Sequence, residues 1–161
     1  MTSLYGVYQY FDYDSWQKER CAPPRTATFQ YPPDTMMAYL MEHFPRNAQL
    51  VIMAKWDRRF ADPQGRFTYF IDPRYERLDA AAIEQMNLHQ ATAMVTGNTL
   101  QGRIRRIDLT TSQDSLLMTV DESTMIHVWY DRRDDRLKKD DLLIGDEIPC
   151  SNGILFMTRA L

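Results

Sequence analysis

The chain has 161 residues, 44% of them hydrophobic and 25% charged, which is the composition of a folded globular protein. Nineteen basic residues stand against 22 acidic ones, and the formal net charge of −3 argues against a protein that coats nucleic acid through its overall charge. No stretch approaches the roughly 20 apolar residues of a membrane-spanning helix, and Cys21 and Cys150 are far apart in sequence. These features predict a cytoplasmic protein with reduced thiols and no membrane contact.

The first predicted elements lie in an aromatic stretch near the N-terminus. Residues 4–11, LYGVYQYF, have the composition of a strand, and Asp14 is placed to cap a short helix. Residues 26–31 alternate like a second strand. The prolines on either side of that second strand predict turns rather than linkers.

A helix is predicted after Asp34. Met36, Leu40 and Phe44 recur every four residues, which places them on one face, and Pro45 ends the pattern. The period therefore predicts an amphipathic helix in this stretch.

Residues 49–56 and 66–72 are predicted to form a hairpin. The intervening DPQG, residues 62–65, suits a type I turn with proline second and glycine fourth. The tip of the hairpin would carry the aromatic and basic cluster WDRRF, which favours contact with a partner or with nucleic acid. Alternatively, an arginine packs over the aromatic ring. The predicted contact residues are Trp56, Arg58 and Arg59.

The helical signals end before a boundary near Gly97. Asp79 is placed to cap a further helix, and residues 90–95 either continue that helix or begin a strand. We therefore expect an α+β segment at residues 1–96 and a β-rich unit at residues 97–161, as two domains or one continuous domain.

The rest of the chain has the pattern of short strands separated by polar turns. Strands are predicted at residues 101–111, 115–121 and 124–130. The charged connection at residues 131–145 favours a solvated loop or a short exposed helix. An Asn-Gly turn then precedes a last strand at residues 154–161.

This order of elements resembles the OB-fold. Three consecutive strands, a polar connection, the segment LLIGDEI at residues 142–148, a tight turn and a closing strand are similar to the order in that family. The resemblance implies a small antiparallel β-barrel, with the N-terminal mixed α/β segment packed on it, in an α+β protein. It also implies a ligand face on the outside of strands two and three.

Alternation along strands two and three predicts a core face and an outer face. Leu116, Met118 and Val120 are the core candidates of strand two. In strand three, His127 and Trp129 lie opposite the better core set and would point outward.

An outward aromatic ring beside arginines is what single-stranded nucleic-acid binding requires. A base stacks on the ring, worth about 1–3 kcal/mol per base, while guanidinium groups meet the phosphates. Trp129 would stack, and Arg103 and Arg105 would hold the backbone. Alternatively, Trp129 packs under a neighbouring segment and the arginines are solvated charges. The predicted nucleic-acid-binding residues are Arg103, Arg105, Arg106, His127, Trp129, Arg132 and Arg133.

No catalytic or metal-binding motif occurs in the sequence. His43, His89 and His127 are scattered, and the acidic residues of the 131–145 connection lack the glycine turn and distal glutamate of a calcium loop. We expect neither a cofactor nor a metal, and a non-catalytic protein. A catalytic triad remains an alternative, because its members need not be close in sequence.

Two functions compete on this evidence. The first is single-stranded nucleic-acid binding, alone or as an accessory subunit of a nucleic-acid-handling complex. The second is a protein–protein interaction module such as an adaptor, an inhibitor or an assembly subunit. The ten methionines and nine tyrosines fit this second function at least as well, and homo-oligomers are compatible with both.

Overall fold

The structure, a computed structural model, describes residues 3–5, 8–10 and 31–160. The chain divides into two compact units, Met1–Pro32 and Pro33–Leu161. Of the elements described, the second unit holds every helix and the larger of two sheets.

The first unit contains an antiparallel pair of short strands, β1 (Ser3–Tyr5) and β2 (Tyr8–Tyr10). They occupy the aromatic stretch that the sequence predicts to be extended. The helix predicted after Asp14 and residues 26–30 of the predicted second strand lie outside the described residues.

Helices of the second unit lie mostly before Gly97. They are α1 (Met36–His43), α2 (Pro45–Met53), α3 (Asp57–Ala61), α4 (Pro73–Glu76), α5 (Ala80–Glu84), α6 (Leu88–Thr96) and α7 (Arg106–Ser112). Residues 90–95 thus belong to a helix of their own, α6, and do not form a strand.

Four of these helices begin at a polar side chain that accepts a hydrogen bond from a backbone N–H. The caps are Thr35 for α1, Asp72 for α4, Asp79 for α5 and Asn87 for α6. The cap at Asp79 confirms the sequence prediction. Helix α1 also forms as predicted, but its cap is Thr35, because Asp34 has a positive φ of 67° and precedes the helix.

Residues 49–56, predicted as a strand, lie mostly in helix α2. Asn47, Leu50 and Val51 are buried and recur at the three- and four-residue spacing of one helical face. Packing of that face overrides the strand propensity of the Val-Ile pair in this segment. The second half of the predicted hairpin is a strand, β3 (Phe67–Ile71).

Seven strands of the second unit form one sheet. Besides β3 they are β4 (Thr99–Gln101), β5 (Asp114–Met118), β6 (Met125–Asp131), β7 (Arg136–Lys139), β8 (Leu142–Cys150) and β9 (Gly153–Ala160). Their order is β4-β3-β9-β8-β7-β6-β5, with β3 and β9 parallel and all other neighbours antiparallel. Helices in the first half and strands in the second confirm the α+β class.

The two ends of this sheet meet, so that it forms a nearly closed barrel. The Val120 N–H, just after β5, donates to the Thr99 carbonyl of β4 at 2.9 Å. Beside that bond, the Thr96 hydroxyl at the end of α6 donates to a carboxylate oxygen of Asp121. The barrel-like character predicted from the sequence is therefore confirmed.

The strand order, however, is not that of the OB-fold. An OB-fold is a smaller Greek-key barrel, whereas here β9 lies between β8 and β3. The parallel pairing joins Phe67–Ile71 to Gly153–Met157, and strands from both sides of Gly97 share the sheet. A pairing between segments so distant in sequence has no local signature.

Apolar side chains fill the interior of the barrel. The buried set is Phe70, Leu100, Leu109, Ile126, Val128, Leu137, Ile144, Ile154 and Phe156. Within it the rings of Phe70 and Phe156 stack with centroids 5.5 Å apart. The opposite face of β3 is covered by helices, since Tyr69 packs on Phe60 of α3 and donates its hydroxyl to Asn47 Oδ1 of α2 at 2.9 Å.

The predicted strand at residues 101–111 is mostly wrong. Strand β4 covers only its first residue, and helix α7 covers more than half of the rest. Gly102 follows β4 with a φ of 97°, a conformation that ends the strand and that glycine adopts without strain. Asp108 then accepts a hydrogen bond from the Arg105 N–H at 3.0 Å and starts the helix.

The prediction that the charged connection at residues 131–145 is a loop or a short helix is also wrong, because β7 lies inside it. Asp135 and Asp140 adopt left-handed φ values of 56° and 52° in the turns on either side of β7. Aspartate tolerates that conformation better than most residues do. Between these turns Leu137 is buried in the barrel and Arg136 is exposed.

Candidate interaction surface

The hairpin β5–β6 ends the sheet and has two different faces. Residues that pair directly in antiparallel strands share a face. Leu117 pairs with Ile126, and both pack into the barrel core. Leu116 pairs with His127, so both of these point outward.

Three large apolar side chains on the outward side are exposed. The exposed fractions are 65% for Leu116, 51% for Met118 and 47% for Met125. The prediction that Leu116 and Met118 belong to the core is therefore wrong. Strand two has apolar residues on both faces, and the register with β6 selects Leu117 for the interior. Predicting which side is buried requires the register between the two strands, and the sequence of one strand does not contain that information.

His127 and Trp129 also lie on the outward side, as their alternation predicts. Their rings stack with centroids 4.6 Å apart and planes inclined by 22°. His127 Nε2 lies 2.7 Å from Asp114 Oδ1, and Asp114 is the cross-strand partner of Trp129. The outward side is called the β5–β6 face and consists of Asp114, Leu116, Met118, Met125, His127 and Trp129.

Strand β5 is an edge strand of the described sheet. Its one neighbouring strand there is β6, although helix α7 also lies against the hairpin. The other side of β5 faces β4 at the place where the two ends of the sheet meet.

The first two arginines predicted to lie beside Trp129 contact β8. Arg103 donates to the Cys150 carbonyl at 3.0 Å, and Arg105 Nε donates to Glu147 Oε2 at 2.6 Å. The hydrogen bond that Arg105 donates to the Glu147 carboxylate raises the pKa of Arg105 above its ordinary value. Neither residue is on a strand next to β6, because the predicted first strand is not formed there.

The other three predicted arginines lie in two places. Arg106, at the start of α7, donates from its guanidinium group to the carbonyls of Ile144 and Gly145. Arg132 and Arg133 lie in the exposed turn between β6 and β7. Nucleic-acid binding by this set of arginines with His127 and Trp129 stays a prediction.

The WDRRF cluster supplies the N-cap and most of helix α3, so it is not at the tip of a hairpin. Trp56 is only 8% exposed, and its ring packs edge-on against Phe60 and Phe67, with centroids 6.0 and 5.8 Å away. The Arg59 guanidinium lies 4.2 Å from the centroid of the Trp56 ring, which is the alternative arrangement expected for this cluster. Partner contact by Trp56, Arg58 and Arg59 stays a prediction.

Two of the cavities among the described residues bear on function, and both lie away from the β5–β6 face. One, of about 580 Å³, is lined by α1 and the turn between β8 and β9, with Cys150 among its residues. Burial raises the pKa of the Cys150 thiol to about 11, so the reactive thiolate is scarce at neutral pH. The other, of about 190 Å³, is lined by Arg106, Arg136 and Arg159 together with residues of β7 and β8.

The described residues show neither a metal-ligand cluster nor a spanning helix. Within residues 31–160, no group of three His, Cys, Asp or Glu side chains is placed to hold a metal ion. His43, His89 and His127 lie on α1, α6 and β6. No helix in the described part of the chain is both long and apolar enough to cross a membrane.

Comparison with known proteins gives a fold relationship. No protein-family model matches the chain, and no curated protein matches it significantly in sequence. Among solved structures, it is similar to a FAS1 domain pair from the insect cell adhesion molecule fasciclin I, with a TM-score of 0.59 at 18% identity. The similarity covers 81% of this chain and 51% of that one, so the chain spans about half the length of the domain pair. The structural neighbour is thus a FAS1 domain, which corrects the OB-fold resemblance.

Proposed function

We propose that this protein is a protein–protein interaction module that binds its partner through the β5–β6 face. The observation that carries the proposal is the exposure of Leu116, Met118 and Met125, side by side on an edge hairpin. Exposed contiguous apolar side chains mark interaction sites. Their removal from water on binding supplies the driving force.

The composition of the β5–β6 face also fits a protein interface. Methionine and tryptophan are enriched at the centres of interfaces, and charged groups belong to the rim. Here the three apolar side chains share the face with His127 and Asp114, which lie within ion-pair distance of each other. The side chains of these two residues are 40% and 73% exposed. Trp129 lies half-buried beside this pair.

Leu116 and Met118 occupy alternate positions of β5, so both lie on the same outward side and are available to one partner surface. The backbone of β5 does not add to this surface, because the side of β5 away from β6 faces β4 where the barrel closes.

Nucleic-acid binding, the competing function, has less support. It requires cations beside an aromatic ring that is free to stack. Arg103 and Arg105 bond to groups of β8, and Trp129 already stacks on His127. The similarity to domains of a cell adhesion molecule is an analogy at the level of the fold, and it favours protein partners.

The proposal is tested with Leu116→Glu. The new carboxylate would lie opposite His127, so the hairpin is expected to stay folded. Leu88→Glu is the matched control, because Leu88 is 50% exposed on α6 and the change adds the same charge elsewhere. We expect self-association in sedimentation velocity, or proteins retained on the immobilised chain, to be lost with Leu116→Glu and kept with Leu88→Glu.

Two results would overturn the proposal. One is that Leu116→Glu sediments like the wild type and retains the same proteins. The other is salt-sensitive binding of labelled single-stranded oligonucleotides, measured by fluorescence anisotropy and abolished by Trp129→Ala in a folded protein. That second result would restore the nucleic-acid function.

A further inference from the structure

The cavity of about 190 Å³ concentrates positive charge on an acidic protein. Its lining residues are Arg106, Asp135, Arg136, Leu137, Leu143, Ile144 and Arg159. Three arginines against one aspartate give the lining residues a formal charge of +2, whereas the whole chain has −3. A concave site with an excess of one sign of charge attracts ligands of the opposite sign.

One of the three arginines is fixed in place. The Arg106 guanidinium donates to the carbonyls of Ile144 and Gly145, where the pairing of β8 with β9 changes register. The Arg106 backbone N–H donates to Glu147 Oε2 at 3.2 Å. A cation that is already ordered loses little side-chain freedom when a ligand binds.

The other two arginines are available to a ligand. Arg136 begins β7 and Arg159 is near the end of β9, and both are exposed. Within residues 31–160, neither guanidinium forms an ion pair with a carboxylate. Asp135, the one acidic residue of the lining, accepts a hydrogen bond from the Tyr130 hydroxyl.

We propose that this cavity binds a phosphate-type oxyanion, either inorganic phosphate or the phosphoryl group of a small phosphate ester. The planar guanidinium group donates two parallel hydrogen bonds to such an anion, which makes arginine the preferred residue for it. The cavity, of about 190 Å³, has room for a phosphoryl group.

This oxyanion site goes beyond the proposed interaction function and does not depend on it. The β5–β6 face shares no residue with the lining of the cavity. Loss of one activity therefore leaves the other measurable in the same protein.

The test is isothermal titration of the full chain with inorganic phosphate and, separately, with O-phosphoserine, at near-physiological sodium chloride. We expect one saturable site, with affinity weakened about tenfold or more by Arg136→Gln and by Arg159→Gln. Arg77→Gln, which removes an exposed arginine outside the cavity, should leave the affinity unchanged. Tighter binding of phosphoserine would identify an ester as the ligand, and tighter binding of inorganic phosphate would identify free phosphate.

Circular dichroism confirms the fold of each variant before titration. The absence of a saturable site for both compounds would overturn the proposal. Unchanged affinity in both cavity variants would do so too, as would equal weakening by Arg77→Gln, which would indicate attraction by general charge.

Discussion

The hydroxyl of Thr96 and the carboxylate of Asp121 meet at 2.9 Å across the line where the two ends of the sheet come together. Asp121 also accepts hydrogen bonds from the Thr119 hydroxyl at 2.8 Å and from the hydroxyl and N–H of Ser123 at 2.7 and 3.1 Å. These bonds, with the Ser123 hydroxyl contributing most, lower the pKa of Asp121 to about 2. The ionised carboxylate therefore joins the turn after β5 to the end of α6, beside the seam of the barrel.

Replacing Asp121 should weaken that seam in a pH-dependent way. The folded pKa of about 2 lies below the unfolded value of about 3.9, so the carboxylate stabilises the fold above pH ~4 and loses this effect as the pH falls towards 2. Because Asp121 is exposed to solvent, we expect Asp121→Ala to lower the free energy of unfolding by only about 1 kcal/mol at neutral pH. Urea denaturation of the wild type and the variant across a pH series measures this difference in the free energy of unfolding.

The control for the seam is Asp146→Ala, which removes an exposed carboxylate on β8. This substitution should change the free energy of unfolding little at any pH. A destabilisation by Asp121→Ala that stays constant from neutral pH to pH ~2 would contradict the assignment, since it would not depend on ionisation.

Asn152 should be one of the residues least tolerant of truncation. It is fully buried in the turn between β8 and β9, where its Oδ1 accepts from the Met36 N–H at 2.8 Å. Its Nδ2 donates to the carbonyls of Phe60 and Asp62 at 2.7 and 3.1 Å. Asn152→Ala removes the side-chain partner of the Met36 N–H and of the Phe60 carbonyl, whereas the Asp62 carbonyl keeps its hydrogen bond from the Gly65 N–H, so we expect the substitution to lower the free energy of unfolding by about 3 kcal/mol in chemical denaturation. Ser151→Ala in the same turn should be near neutral, and equal effects would refute this explanation.

Tyr69→Phe tests the buried contact between β3 and α2. The Tyr69 hydroxyl is completely buried, and its single hydrogen bond is to Asn47 Oδ1 among the described contacts. Burial raises the pKa of Tyr69 above its ordinary value, so the hydroxyl stays protonated and remains a donor. We expect the substitution to lower the midpoint of urea unfolding by the equivalent of about 1–2 kcal/mol. Tyr75 is half-buried, and Tyr75→Phe should lower the midpoint of urea unfolding by less. A larger change with Tyr75→Phe would contradict the assigned role of the Tyr69 hydrogen bond.

The Cys150 thiol should react slowly in the native protein. Its pKa of about 11 leaves little thiolate at pH ~8, and the side chain is buried. With Cys21→Ser in place so that one thiol remains, we expect labelling by Ellman's reagent to be slow without urea and fast with it. Rapid labelling of the folded protein would show that the thiol is accessible and ionised.

Local features of the sequence predict local structure well in this protein. The alternation around His127 and Trp129 predicts the inner and outer sides of β6, and Asp79 predicts the start of α5. Both signals depend on neighbours within a few residues, and tertiary contacts agree with them.

Features that depend on distant pairing are not predictable in this way. Leu116 and Leu117 are equivalent by composition, and only the register with β6 decides which one is buried. In the same manner, Leu50 and Val51 fit either a strand or a helix until the packing of α2 is known. Leu116 and Met118 are predicted to lie in the core because their composition is that of a core, whereas His127 and Trp129 of the same surface are predicted to point outward.

The central position of β9 has a consequence for synthesis on the ribosome. This strand lies between β3 and β8, yet it is formed by residues 153–160, which are made after every other described element. While it is still within the exit tunnel, β3 lacks its parallel neighbour and the barrel is open on both sides of the gap. The emerging chain must keep its apolar segments apart from other chains until that strand arrives, a period in which chaperones would have their greatest effect.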